Sequence, residues 1–198
     1  MTGELSRSAM PGATGVVDED LEAYETNYQT HRTGISTEEC IQCYNKTAKK
    51  YEENLNPSRY RGYVIAAEAV ETFYGQDKSA RVLDVGAGTG FLGKELEKRG
   101  YTNIDALEPA SEMLRLAAEK GVYRSLYCDV LGGSEVTIPD DTYDVLALSG
   151  SMGEGHIQCK GLAEMVRIVK PVRGNIIVSN GDCFLLLSPD QIPILVDD

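Results

Sequence analysis

The chain has 198 residues, 42% of them hydrophobic and 25% charged, a composition typical of one globular domain with a substantial core. Its apolar runs are far shorter than the roughly 18 residues of a membrane-spanning helix, and residues 1–7 lack the basic and apolar regions of a secretion signal. The lack of a secretion signal, together with the odd count of five cysteines, predicts free thiols and a cytoplasmic location, with the nucleus as the alternative.

The formal net charge of -12 is concentrated at the two ends of the chain. Residues 1–40 hold eight acidic and two basic residues, and residues 181–198 hold four acidic residues and no basic one. The sequence has no cluster of Lys and Arg that would neutralise phosphate groups. The charge therefore argues against nucleic acid and against a membrane as partners.

In chain order, the pattern divides the sequence into three parts. Residues 1–36 have no sustained apolar period, which predicts a disordered acidic leader. The pattern of residues 37–180 predicts one domain that includes two helices at its start. Residues 181–198 predict a short acidic tail that forms one hairpin or no stable structure.

The two helices at the start of the domain differ in how clearly they are marked. The first is predicted to be capped near Thr37 and to end at Asn56 and Pro57. The second has apolar residues at spacings of three and four from Tyr63 onward, and Gly75 is expected to end it.

From residue 80 onward, short β-rich runs alternate with helical stretches. This alternation predicts an α/β protein with a parallel sheet covered by helices. The predicted strands are Arg81–Val85, Asn103–Leu107, Arg124–Cys128, Tyr143–Leu148 and Asn175–Ser179.

The strongest motif is a run of three alternating glycines directly after the first predicted strand. It reads Asp84, Val85, Gly86, Ala87, Gly88, Thr89, Gly90. A dinucleotide fingerprint has its third glycine one residue later, so the spacing argues against a nicotinamide oxidoreductase. The G-x-G-x-G form resembles that of class I S-adenosylmethionine-dependent methyltransferases. A glycine-rich turn in another Rossmann-like protein is the alternative.

This resemblance implies a Rossmann-like methyltransferase fold, with helices on both faces of the sheet, and S-adenosylmethionine as the cofactor. Glu108, at the end of the second strand, would accept both ribose hydroxyls. Met113 would lie against the adenine and ribose, and Asp129 would accept the adenine amino group. The implied cofactor-binding residues are Asp84, Gly86, Ala87, Gly88, Thr89, Gly90, Glu108, Pro109, Met113, Cys128, Asp129, Val130 and Ser149.

Three further segments resemble the family of methyltransferase-like protein 27. They are residues 44–52, Tyr60 with Arg61, and residues 149–157. By analogy, Tyr51 and Arg61 reach the carboxylate end of the cofactor, with packing and solvation as the alternative. His156 and Glu154 are the candidate catalytic residues that take a proton from the methyl acceptor. For His156, a capping or solvent-exposed role is the alternative.

The C-terminal region departs from the pattern of that family. The turn before the fifth strand, residues 170–174, is one residue longer than usual, which predicts a shifted turn and a retained strand. The residues after the fifth strand are too few for the antiparallel β6–β7 hairpin that normally ends this fold. We therefore expect this hairpin to be missing or abbreviated, and we expect self-association through an open sheet edge.

Two other patterns carry no function. Cys40 and Cys43 form a C-x-x-C pair, but the sequence offers no second pair at zinc-ligand spacing, so no metal is expected. Tyr74 and Lys78 have a dehydrogenase-like spacing, yet they precede the glycine motif instead of following the fourth strand.

The sequence as a whole predicts a methyltransferase that uses S-adenosylmethionine and a small-molecule or protein acceptor. The alternative is a cofactor-binding or interaction module, a truncated methyltransferase with little or no catalytic activity.

Overall fold

The computed structural model describes residues 28–55, 60–133, 136–180 and 183–189. Within these ranges, five helices follow a single helical turn at residues 28–31. They are α1 (Thr37–Asn54), α2 (Gly62–Tyr74), α3 (Phe91–Lys98), α4 (Ser111–Glu119) and α5 (Gly161–Ile168). The strands are β1 (Val82–Val85), β2 (Ile104–Leu107), β3 (Leu126–Tyr127), β4 (Val145–Ser149), β5 (Asn175–Asn180) and β6 (Cys183–Leu187).

All six strands belong to one sheet with the order β3-β2-β1-β4-β5-β6. Strands β1 to β5 are parallel, and β6 turns back to pair antiparallel with β5, from Ile176 opposite Leu187 to Asn180 opposite Cys183. This confirms the predicted α/β class and the mostly parallel sheet. Within the described residues, β6 is the last strand and no β7 follows it. The β6–β7 hairpin is thus abbreviated to a single strand that pairs with β5.

Helices cover both faces of the sheet, as predicted. Helices α2 and α3 pack on the face that carries Val82 and Val145. Helix α5 and the loop residues Leu131, Val136 and Ile138 pack on the face that carries Leu83 and Leu146. Because both faces are covered, every residue of β1 and β2 is buried, and the strands read as continuous apolar runs interrupted by a single acid each.

Helix α1 begins at a capping box. The Ser36 side chain accepts a hydrogen bond from the backbone N–H of Glu39, and the Glu39 carboxylate accepts one from the backbone N–H of Ser36. The cap is therefore Ser36 and not the predicted Thr37. The helix ends at Asn54, and the expected stop at positions 56 and 57 lies outside the described residues. Ala48 of α1 packs against Met113 of α4, which fixes α1 beside the carboxyl ends of the strands.

Two predicted segments differ from the structure in their bounds. Strand β3 is shorter than predicted because it lies at the sheet edge and pairs only with β2, although Arg124 N–H still bonds the Ile104 carbonyl at 2.8 Å. A hydrogen bond of 2.9 Å from the Gly174 N–H to the Lys170 carbonyl closes the turn before β5. Asn175 then pairs in register with Val145, so the fifth strand is retained as predicted.

The described part of the predicted leader packs against the domain. Thr30 and Ile35 are buried, and Gly34 donates its backbone N–H to the Glu154 carboxylate at 3.0 Å. Residues 1–27 lie outside the described residues. Residues 28–36 therefore form part of the surroundings of the site described below.

Candidate functional site

The glycine motif forms the turn between β1 and α3. Gly86 and Gly88 have φ angles of +71° and +54°, a region that glycine adopts without strain. A side chain at Gly86 would collide with Ser151, whose hydroxyl donates to the Val85 carbonyl at 3.0 Å. At Gly88 a side chain would meet nothing within 4 Å and would project into an open cleft. The loop thus brings bare backbone to the cleft wall.

Glu108 follows β2 and is held by backbone on two sides. Its carboxylate accepts the Gly88 N–H at 2.9 Å and the Ala110 N–H at 2.8 Å. The side chain is 7% exposed, and burial raises the pKa of the carboxyl above its usual value, against the lowering effect of the two N–H donors. Each carboxylate oxygen retains acceptor capacity after these bonds, so Glu108 can still accept hydroxyl donors from a ligand.

Asp84 is a second buried carboxyl on the other side of the glycine loop. It accepts the Tyr123 hydroxyl at 2.6 Å. Burial, followed by the charge of Glu108, raises its pKa to about 7, while the Tyr123 hydrogen bond acts in the opposite direction. Two buried carboxyl groups on either side of the glycine loop, with the charge of Glu108 helping to raise the pKa of Asp84, form an environment that favours a cationic ligand.

A cleft of about 670 Å³ opens at the carboxyl ends of β1, β2 and β4, where open α/β sheets bind ligands. A second compartment of about 350 Å³ lies on the other side of the glycine loop and shares Tyr51, Gly86, Gly88 and Ser149 with it. Among the described residues that line the two, the charged side chains are Asp84, Glu108 and Asp129. The cleft is therefore acidic.

The main compartment contains most of the residues expected around a nucleoside. Glu108, Pro109, Met113, Asp129 and Val130 line it together with Leu107 and Leu131. Met113 is buried and presents an apolar surface, and Asp129 is bonded at one oxygen to the Val130 N–H at 2.8 Å. A flat, polar-edged group fits such a wall of apolar side chains and acceptors.

The second compartment has aromatic walls and one unpaired polar atom. Tyr51, Tyr60, Tyr63 and Phe91 line it, and the rings of Tyr63 and Phe91 stack at 5.2 Å between centroids. The Thr89 hydroxyl in its wall is fully buried and has no hydrogen-bond partner among the described residues. An orphaned hydroxyl beside an open space indicates a ligand that supplies the missing partner.

At the far end of the main compartment, His156 lies against α1. Its Nε2 is 2.8 Å from the Tyr44 hydroxyl, and its Nδ1 is 3.0 Å from the Glu154 carbonyl oxygen. Burial lowers the pKa of His156 below its usual value, so the ring is neutral near pH 7. The Cys40 thiol is 3.8 Å from Nε2, and burial raises its pKa to about 11, so the thiol is protonated.

The structure brings most of the sequence-predicted site residues to the two compartments. Four lie outside them: Gly90, which caps α3; Cys128, which is exposed; Arg61, which is exposed before α2; and Glu154, whose carboxylate is bonded to Gly34. Sequence reasoning did not select Tyr44 or Cys40. Tyr44 and Tyr51 are seven residues apart on one face of α1, and this spacing was the available signal.

The described residues lack the features of a metal site and of a membrane-spanning helix. No three His, Cys, Asp or Glu side chains in these ranges are grouped so that they could hold a metal ion. None of the helices found there has the length and apolar character needed to cross a membrane.

Residues 82–172 match a protein family described as a methyltransferase domain. Human methyltransferase-like protein 27 is 27% identical over 129 residues, which cover 65% of this chain and 52% of that protein. The demethylmenaquinone methyltransferase of Thermobifida fusca is 30% identical over 128 residues, which cover 63% of this chain and 51% of that protein. The chain thus spans about half the length of both relatives.

Solved structures share the fold. A SAM-dependent methyltransferase from Aquifex aeolicus superposes with a TM-score of 0.50 and 25% identity, over 75% of this chain and 80% of that one. The [4+2]-cyclase SpnF superposes with a TM-score of 0.57 and 19% identity, over 72% of this chain and 60% of that one. At the identity of the second pair, the likeness concerns the fold alone.

Proposed function

Since the chain belongs to the class I S-adenosylmethionine-dependent methyltransferases, we propose that it binds S-adenosylmethionine in the acidic cleft and transfers the methyl group to a small-molecule or protein acceptor. One observation carries the proposal: Glu108 is buried at the end of β2 and bonded to the Gly88 N–H, in a cleft whose charged lining is acidic. A carboxylate so held accepts ribose hydroxyls, and the surrounding acids favour a cation.

The residues present fit this cofactor on both sides of the glycine loop. On one side Glu108, Met113 and Asp129 offer ribose acceptors, an apolar surface and an amino-group acceptor. On the other side the buried, unpaired Thr89 hydroxyl and Asp84 offer partners for the polar amino-acid end. The open space at Gly88 admits a ligand against the bare backbone between the two.

When bound, S-adenosylmethionine supplies a methyl group that its sulfonium already activates. The chain therefore needs to hold and orient the acceptor and exclude water, and no strong catalytic dyad is required. Of the two predicted catalytic residues, His156 is the one we expect to hold a proton at the end of the reaction, because it is neutral and lines the cleft. The Glu154 carboxylate is bonded to Gly34 outside the cleft.

The test is a transfer experiment with S-adenosylmethionine labelled with ¹³C in its methyl group. The chain is incubated with this compound and a fraction of small metabolites, and separately with a protein extract, and new methyl signals are followed by NMR. We expect label in a new compound with the wild type. A matched Gly88→Leu variant, whose side chain fills the cleft, should transfer none.

Two outcomes would change the assignment. If the wild type binds S-adenosylmethionine but moves no label into either fraction, the binding-module alternative replaces the enzyme. If the Gly88→Leu variant transfers label as fast as the wild type, the reaction occurs elsewhere and the cleft is not the active site.

A further inference from the structure

The His156 ring has a defined tautomer. A carbonyl oxygen only accepts hydrogen bonds, so the contact of 3.0 Å between Nδ1 and the Glu154 carbonyl requires the proton on Nδ1. The Nε2 lone pair then accepts the Tyr44 hydroxyl, 2.8 Å away. The two side chains thus form a hydrogen-bonded pair in which Tyr44 donates to His156.

Tyr44, and not His156, presents the free acceptor position to the cleft. The lone pair of Nε2 is occupied by the Tyr44 proton, so an incoming group cannot bond it directly. The Tyr44 oxygen donates to His156 and has the Thr30 hydroxyl as a further partner. A phenol oxygen with one donated and one accepted bond can accept one more.

The cleft lining next to this pair is made of uncharged residues. Thr37, Cys40, Ile41, Gly155 and Ile157 complete the wall around it. On the neighbouring segment, the centroid of the His31 ring lies 4.9 Å from that of His156, and the Arg32 guanidinium lies 3.2 Å from the Glu39 carboxylate. No lysine or arginine lines either compartment within the described residues. Such a wall offers no partner for an anionic acceptor.

We propose that the methyl acceptor is a neutral, largely apolar molecule with a hydroxyl group, and that Tyr44 receives its proton. This inference rests on the proposed methyl transfer. An ammonium acceptor has no lone pair to attack with, and a carboxylate would be desolvated among apolar groups without a cationic side chain to pair with. A hydroxyl needs to lose a proton, and the Tyr44–His156 pair is arranged to take one.

The step balances in atoms and charge. The acceptor oxygen forms a bond to the methyl carbon, and the electron pair of the carbon–sulfur bond stays on sulfur. The hydroxyl proton passes to the Tyr44 oxygen, while the Tyr44 proton passes to Nε2 of His156. The positive charge of the sulfonium thus becomes that of a histidinium, and Tyr44 ends neutral.

The test measures the binding of three probes to the chain saturated with S-adenosylhomocysteine. The probes have similar shapes but different charges: para-propylphenol is neutral, para-propylbenzoate is an anion and para-propylbenzylammonium is a cation. The readout is the imidazole nitrogen resonances, which are simple because the chain has two histidines. We expect the phenol to bind at least 10-fold more tightly than either ion and to shift Nε2 of His156. We expect His156 to show the Nδ1–H form.

Two variants make the test specific. Tyr44→Phe should bind S-adenosylhomocysteine like the wild type but bind the phenol at least 10-fold more weakly. Tyr101→Phe, a buried tyrosine whose hydroxyl lies 3.4 Å from the Val70 carbonyl, should change neither. Unchanged binding of S-adenosylhomocysteine also reports that the Tyr44 variant is folded.

The outcomes separate this inference from the proposed function. Tighter binding of either ion, or equal phenol binding by Tyr44→Phe, would overturn the hydroxyl acceptor and leave the cofactor assignment intact. Failure of the wild type to bind S-adenosylhomocysteine would overturn the proposed function, and this inference with it.

Discussion

Glu108 connects the glycine loop to the start of α4, because its two oxygens bond the N–H groups of Gly88 and Ala110. The same carboxylate is the residue we expect to contact the ribose. Its burial means that water does not compete well for these bonds. A single side chain therefore shapes the cleft and is also the one we expect to bind the ligand, so we expect its removal to lower ligand affinity more than the removal of a surface acid.

Replacing Glu108 by alanine should raise the dissociation constant for S-adenosylmethionine roughly 10- to 100-fold, the equivalent of about 1.5 to 3 kcal/mol for lost charged hydrogen bonds. Calorimetric titration measures the change, with circular dichroism to verify the fold. The matched control is Glu112→Ala, an exposed acid of α4 whose carboxylate pairs with Arg115. Equal affinities of the two variants would show that Glu108 does not contact the cofactor.

The raised pKa of Asp84 predicts that the stability of the folded chain depends on pH. Its usual pKa is 3.8, and in the folded chain it is about 7, so between these values the folded state holds a proton that the unfolded state has released. The folded state is therefore stabilised at the low end of this range. The contribution of Asp84 falls as pH rises from about 4 through 7, by up to about 4 kcal/mol.

The check is urea unfolding of the ligand-free chain at intervals from pH 5 to pH 8. Asp84→Asn stays neutral throughout and can still accept the Tyr123 hydroxyl, so its stability should fall less steeply with pH than that of the wild type. Parallel curves for the two proteins would mean that Asp84 titrates near its usual pKa.

Among the elements, α1 brings Tyr44 and Tyr51 to the cleft, and its first turn depends on Ser36. Replacing Ser36 by alanine should destabilise the start of α1 by about 1 kcal/mol, because a helix donor loses its partner. Amide hydrogen exchange in the first turns should speed up by roughly fivefold. Ser111→Ala is the control, because the α4 start has no side-chain cap. An equal effect of both changes would contradict the capping box.

The sequence predicts elements best where a local pattern and the tertiary environment agree. Helix α2 is found at Gly62–Tyr74, and Gly75 follows its last residue as expected. Strand β1 enters the glycine loop as predicted because Val82 to Val85 are covered on both faces. Strand β3 is poorly predicted because its length depends on pairing at the sheet edge, which no local pattern encodes.

The end of the cleft around His156 was the hardest part to predict. Its contacts join residues far apart in sequence: Tyr44 with His156, and Gly34 with Glu154. The polar composition of the first 36 residues suggested disorder, yet Ile35 packs against Gly155. The positions of the glycine loop and of Glu108 were predictable because each directly follows a strand marked by its apolar pattern, β1 and β2 respectively.

At the scale of the whole molecule, the sheet ends at β6 within the described residues, and this edge is apolar. Phe184 and Leu185 are 44% and 56% exposed, and Phe184 contacts the ring of Phe73, which is 46% exposed. Unpaired strand edges with apolar side chains favour pairing with another chain. Self-association of two copies through β6 therefore remains our prediction.

Sedimentation velocity over a range of concentrations tests this edge. The wild type should associate as concentration rises, and Leu185→Lys should shift it toward the monomer because a charge at the edge opposes pairing. Val172→Lys, at a 90% exposed valine in the turn before β5, should have no effect. A wild type that stays monomeric, or a Val172 variant that dissociates equally, would remove the β6 interface.

The identity of the cofactor is the central claim, and calorimetric titration of the wild-type chain tests it most directly. S-adenosylmethionine, S-adenosylhomocysteine and NAD are titrated separately into the ligand-free chain. The acidic cleft, Glu108 and the glycine spacing predict saturable binding of the two sulfur nucleosides with one site each and no binding of NAD. Micromolar binding of NAD with none of S-adenosylmethionine would contradict the account.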